Sequence, residues 1–149
     1  MSEIRGFGLL MLPGRTDLAS VGAARRYARD TAQGWRLAAD VVDDLESIVG
    51  ELAANALEHS VSDPERGGSD LITVTLALTT ATVTVGVTDA GPRRGIVAPV
   101  PPRSLPGAEQ ERGRGLLITE ALADRWGLRR TRDCLTVWAD VVTHTGHTP

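Results

Sequence analysis

The chain of 149 residues contains no lysine; all 16 of its basic residues are arginine. That absence removes a P-loop lysine on nucleotide phosphates, a Schiff-base lysine and a lysine general base. Cysteine is nearly missing as well. Cys134 stands alone, without a disulfide partner or a CxxC half-site for structural zinc, which fits a reducing cytoplasm. Five aromatic residues (Phe7, Tyr27, Trp35, Trp126 and Trp138) are too few for a base-stacking platform, and the net charge of −3 also argues against nucleic-acid binding. The apolar run at residues 7–12 is too short for a signal h-region or a membrane span.

What is present suffices for one packed domain over residues 1–149, with 42% hydrophobic and 23% charged residues. Charge is unevenly spread. Residues 93–132 hold nine arginines against four acids, whereas acids dominate between Asp17 and Asp70. Such a split suits a site where metal and phosphates meet, but taken alone it reads first as two solvated faces.

Period and punctuation predict the elements. Residues 7–12 read as a strand closed by Pro13-Gly14. Thr16 caps a helix running to about Gln33, with Gly34 as its stop and Leu18, Val21, Ala24, Ala28 and Thr31 as its buried stripe. A second helix starts at Asp40. On it Leu45, Ile48, Val49, Leu52 and Ala56 share one face, while Asp44, Glu51, Asn55 and Glu58 share another, with His59 at its edge. Residues 60–69 form the loop that ends it. Alternation predicts strands at 71–78 and 81–88, a third helix from about Gly115 to Trp126, and strands at 128–132 and 135–142. Between them, residues 91–113 carry five of the eight prolines and no period, which reads as a lid or a plain insertion. The order implies an α+β two-layer sandwich, with three helices on one face of a mixed, mostly antiparallel sheet.

Three segments could carry chemistry. Glu51 and Asn55 lie one helical turn apart and can reach one point. A carboxylate there can take a proton, and an amide oxygen can ligate Mg²⁺ alongside phosphate and water. Asp89, leaving a strand before Ala90, Gly91 and Pro92, can accept a hydrogen bond from an exocyclic amine while the glycine lets backbone pass a flat ring. The run Glu111-Arg112-Gly113-Arg114-Gly115-Leu116 opens a helix whose N-terminal N–H groups suit an anion, with two arginines at hand. Taken singly, each also reads as ordinary structure: a solvated helix face, a turn, a hinge. Their order and spacing are far more specific.

In that order the segments resemble the GHKL superfamily of ATP-binding domains (gyrase, heat-shock chaperone, histidine-kinase and mismatch-repair ATPases). Residues 51–59 resemble the N box, Asp89-Ala90-Gly91-Pro92 the first glycine box, Gly113-Arg114-Gly115-Leu116 the second, and 91–113 the ATP lid. Leu12-Pro13, Ala24-Arg25, Trp35-Arg36-Leu37 and Thr136-Val137-Trp138-Ala139 are similar to the pattern of the anti-sigma-factor serine kinases and their stand-alone relatives.

The resemblance implies a histidine-kinase-like ATPase fold and specific roles. Asn55 would hold Mg²⁺ on the ATP phosphates. Glu51 would be the general base for a protein serine or for water. Asp89, with Gly91, would bind adenine, assisted by Thr136. Arg112, Gly113, Arg114, Gly115 and Leu116 would hold phosphates. His59 would support or pack. Two departures stand out. Arg93 replaces the glycine usual two residues after Gly91, the next being Gly95, and Asp133-Cys134-Leu135 precedes Thr136 where relatives carry Gly-Lys.

The implied function is an ATP-dependent regulatory serine kinase in the cytoplasm. Its partners would be a sigma factor and an antagonist protein, with neither nucleic acid nor membrane. Dimerisation is expected by analogy alone. A nucleotide-gated binding module with little catalysis is the alternative. A histidine-kinase fragment is disfavoured, because no dimerisation helix carries a phospho-acceptor histidine.

Overall fold

A computed structural model describes residues 3–13, 18–61, 71–89, 114–131 and 134–143. In chain order they form β1 (Gly6–Pro13), α1 (Leu18–Gly34), α2 (Ala39–Val61), β2 (Leu71–Leu78), β3 (Thr82–Asp89), α3 (Arg114–Leu122), β4 (Arg125–Thr131) and β5 (Cys134–Val142). The sheet runs β1-β2-β3-β5-β4, and every neighbouring pair is antiparallel. The expectation of a mixed sheet is therefore corrected. β5 leaves its partner β4 and runs back between β4 and β3, so no parallel pair arises among the described strands.

Alternation sorts the strand residues into two faces. Val83, Val85, Val87 and Asp89 of β3, with Leu135, Val137, Ala139 and Val141 of β5, are buried on the helix side. Thr84 and Thr88, with Thr136 and Trp138, occupy the open side. On that open side the edge strand β1 shows Phe7, Leu9 and Met11 to solvent. Two β1 glycines on the covered side make room for large rings. A Cβ at Gly6 would stand 2.6 Å from the Trp35 indole nitrogen, and one at Gly8 would collide with the Tyr27 hydroxyl.

α2 is the central helix, packed against α1 and α3 and lying over β2, β3 and β5. Its predicted apolar face is the one buried: Leu45, Ile48 and Val49 are fully enclosed, Leu52 is at 1% and Ala56 at 5% exposure. Each of the four larger side chains contributes roughly 1.5–3 kcal/mol relative to exposure. On α1, Ala24, Ala28 and Ala32 form the seam against α2 and the sheet, small enough for close approach. Arg29 clips the two helices, its Nε donating to Glu46 Oε1 at 2.7 Å and Nη2 to Asp43 Oδ1 at 2.9 Å. The two carboxylates make that guanidinium hold its proton more firmly than usual, the Glu46 hydrogen bond first.

α1 ends at Gly34 as expected but through a different turn, and the third helix ends earlier than expected. The turn after α1 does not use Gly34 as its left-handed residue. Arg36 takes that place at φ 62°, while Leu37 N donates to Ala32 O at 3.2 Å and Arg36 N to Gln33 O at 2.9 Å. This is a Schellman-type ending built on a non-glycine residue. The third helix stops at Leu122, four residues early, because Trp126 and Gly127 already pair with Ala139 and Trp138 in the sheet. The spacing Ile118, Leu122, Trp126 suits a helix, but Trp126 and Leu128 also alternate as a strand, and pairing with β5 decides between them.

Candidate functional site

The covered side of the sheet ends, at the C-terminus of β3, in a buried acid. Asp89 is 6% exposed and points toward the helices because it follows the parity of Val83, Val85 and Val87. It makes a polar interaction there, as a buried carboxylate must, since burial without one is costly. Above the sheet, α2 contributes Glu51 and Asn55 one turn apart. Asn55 lies at 9% exposure on the rim of the apolar face, and Glu51 is half-buried on the polar flank. By helical position, Glu51 and Asn55 lie away from the α1 seam occupied by Gly50, Ala53 and Leu57, so they share the other flank of α2. α3 packs along α2 and is led by Arg114, Gly115 and Leu116. The N–H groups of its first turn lack intrahelical acceptors, as at any helix start.

The expected site thus divides three ways. Glu51, Asn55 and Asp89 sit on elements that pack together, α2 and β3 being in contact. Arg114, Gly115 and Leu116 open α3, but their side chains lie outside the described residues, as do those of Glu58 and His59. Gly91, Arg93, Gly95, Arg112, Gly113, Asp133 and the lid expected at 91–113 also lie outside them. Thr136 is not brought onto the face of Asp89. It pairs with Thr88, and their hydroxyl oxygens are 2.6 Å apart on the open side of the sheet. The β5 residue opposite Asp89 is Leu135. The resemblance implies that Thr136 assists adenine binding; the strand register puts its side chain on the opposite side of the sheet from Asp89.

Two other features go beyond the sequence reading, which named Arg25 only as part of a resembling segment and did not name Gly50 or Thr119. Arg25 of α1 lies across Gly50 of α2, where any Cβ would collide with its guanidinium; the glycine thus admits a cation over the turn just before Glu51. Thr119 of α3 is fully buried, and its hydroxyl has no hydrogen-bond partner among the described residues. Farther up the polar flank of α2, Asp44 has its carboxyl pushed above the usual range, first by burial and then by Asp40, Asp43 and Asp124.

Chemically, the arrangement offers a proton acceptor, an amide oxygen, a buried acid and a helix start at one end of the helix–sheet seam. Among the described residues, no three His, Cys, Asp or Glu side chains cluster as a metal cage. A metal at Asn55 would therefore be held by a hard oxygen from the protein and complete its shell with phosphate and water, the habit of Mg²⁺. The amide oxygen fits that role. Among the described residues no helix is long and apolar enough to cross a membrane.

Comparison with known proteins agrees with this architecture. No curated protein sequence matches the chain. The fold is similar to that of the RsbU and RsbW domains of Rv1364c from Mycobacterium tuberculosis, with a TM-score of 0.62 and 17% identity; the match covers 90% of this chain and 32% of that one, about a third of its length. It is also similar to the SiaB–SiaC complex from Pseudomonas aeruginosa, with a TM-score of 0.59 and 15% identity over 93% of this chain and 89% of that one. The model of the histidine kinase-like ATPase domain matches residues 14–141, which takes in all three helices, β2 to β4, β5 as far as Val141 and each of the chemical segments, but none of β1. With that span matched, the chain belongs to the histidine kinase-like ATPase domain family.

Proposed function

We propose that the chain binds ATP with Mg²⁺ at the α2–β3–α3 corner and transfers the γ-phosphoryl group to a serine of an antagonist protein, as a regulatory kinase of the anti-sigma-factor type. The observation that carries this reading is the pairing of Glu51 and Asn55 one turn apart on the flank of α2, above the buried Asp89 at the end of β3. Asp89 accepts a hydrogen bond from the adenine amino group, an interaction that guanine, with a carbonyl there, does not offer. The α3 start donates N–H groups to phosphate oxygens, helped by the positive end of the helix dipole. Asn55 would hold Mg²⁺ through its amide oxygen, and the ion would supply neutralisation of the phosphate charge. Glu51 accepts the serine proton as the serine oxygen bonds to the γ-phosphorus and the bond to the β,γ-bridging oxygen breaks, releasing ADP. Half-burial suits Glu51 to this work, since a partner protein can reach it from solvent. One structural neighbour is itself a complex of SiaB with SiaC, which supports a protein partner for this chain; a sigma factor is the expected second partner.

Incubation with Mg-ATP and an antagonist encoded beside it, read by phosphoserine mass spectrometry, tests the proposal. Glu51→Ala should lower transfer at least about 100-fold, the scale of a lost general base, with ATP affinity retained. Asn55→Ala should weaken Mg-dependent ATP binding; unchanged affinity would remove the site assignment. ATP binding without transfer to any such antagonist would identify a nucleotide-gated binding module instead.

A further inference from the structure

Leu135 is unusual among the buried residues. It is 2% exposed, yet among the described residues it is the only buried apolar side chain outside the contiguous core. Its place in the sheet explains this. It lies at the start of β5, directly opposite Asp89 at the end of β3, beyond the last core pair Val87–Val137. Burial alternates along both strands, so Asp89 and Leu135 share the helix-covered side. Directly opposed residues on one face bring their Cβ atoms within about 4.5–5.5 Å. Thr136 belongs to the other side. Its hydroxyl meets that of Thr88 at 2.6 Å, and the plane of the sheet separates it from whatever Asp89 binds.

We propose that Leu135, and not Thr136, is the β5 side chain that faces the nucleotide base, as an apolar wall beside Asp89. The inference rests on the placement of the base at Asp89 proposed above. From this pair of strand ends the base receives one polar contact, from the Asp89 carboxylate, and one dispersion contact, from the leucine. Of the two, Asp89 is then the one that distinguishes adenine from guanine. Leu135 contributes contact but no hydrogen bond, so a hydroxyl introduced at this position adds a polar contact that the native site lacks.

The test measures Mg-ATP affinity by calorimetry on the full chain and four variants, with thermal melts as a check of folding. Threonine and valine have nearly the same shape, so Leu135→Thr against Leu135→Val isolates a hydroxyl at constant volume. Leu135→Thr should bind ATP about fivefold more tightly than Leu135→Val, the scale of one net hydrogen bond. Thr136→Val should stay within about twofold of the parent, an arm that does not depend on how the Leu135 variants fold. Equal affinities for the two Leu135 variants, or a tenfold loss in Thr136→Val, would overturn the inference. Asp89→Asn separates the two levels. If it weakens ATP binding while the Leu135 pair is equal, the base site stands and the role of Leu135 falls. If it leaves ATP binding unchanged, the base site falls and the inference falls with it.

Discussion

The two sides of the sheet are cut from the same strands, yet they do different work. On the covered side the buried residues of β2, β3 and β5 are aliphatic except for Asp89 at the end of β3, and Asn55 lies on the helix above. On the open side polar groups run through the middle and are satisfied among themselves. Thr84 Oγ1 donates to Asp140 Oδ1 at 2.6 Å, Arg125 Nη2 donates to Asp140 Oδ2 at 2.8 Å, and the Arg125 guanidinium lies 6.0 Å from the Trp138 ring centre. Both sides hold a buried acid, Asp89 and Asp140. Asp140 is paired within the sheet, in a geometry that serves structure. Asp89 ends the aliphatic row where α2 presents Asn55 and Glu51. Thus a polar residue on this fold signals a site by its side and its position along the strand, more than by its type.

The largest effect that would break the comparison concerns burial. Leu76 of β2 is fully enclosed, while its neighbour Thr75 faces the open side. Leu76→Ala should cost about 3 kcal/mol in denaturant unfolding, and Thr75→Ala less than about 1 kcal/mol. Comparable losses would mean that the open side is also a packed interior.

Next come the two acids. Asp140→Ala should cost about 1–2 kcal/mol of stability, since it removes two hydrogen bonds and leaves a largely exposed arginine behind, with ATP affinity unchanged. Asp89→Asn should do the reverse, weakening ATP binding more than it changes the melting temperature. An exchange of these outcomes would put the ligand on the open side.

A smaller effect sharpens the rule that the covered side tolerates polar atoms only with partners. The Thr119 hydroxyl is buried without one among the described residues. Thr119→Val keeps the shape and should stabilise the fold by about 1 kcal/mol, seen as a rise in melting temperature of a few degrees. A loss of stability would show that the hydroxyl is satisfied in solution.

The smallest effect belongs to Asp44, on the solvent flank of α2. Its raised carboxyl binds a proton more tightly folded than unfolded. Its favourable contribution is therefore complete below the unfolded value of about 3.9 and is lost as pH rises through the raised folded value. Asp44→Asn should stabilise the protein at neutral pH by less than about 0.5 kcal/mol and leave it unchanged near pH 2. Melting curves at the two pH values check the sign.

Much of this molecule was legible from period and punctuation. Alternation of Ile72, Val74, Leu76 and Leu78 with Thr73, Thr75 and Ala77 marks β2 at the bounds the sheet uses. The apolar face of α2 is the buried one, residue for residue. The three motif segments were legible as well, because residue identity and spacing are one-dimensional properties. Errors arose where two periods coincide, as at Leu122, Trp126 and Leu128, or where backbone geometry overrides composition, as at Arg36. At Arg36 a left-handed turn was filled by a residue that pays a steric cost there.

The sequence by itself determined the elements, the aliphatic seam between helices and sheet, and the presence of Glu51, Asn55 and Asp89 on that seam's polar end. Only the tertiary structure decided sidedness. Alternation says that Leu135 and Thr136 point in opposite directions, but it does not say which one shares a face with Asp89. That is set by the β3–β5 register and by the helices that cover one side, and a shift of one residue would exchange the two.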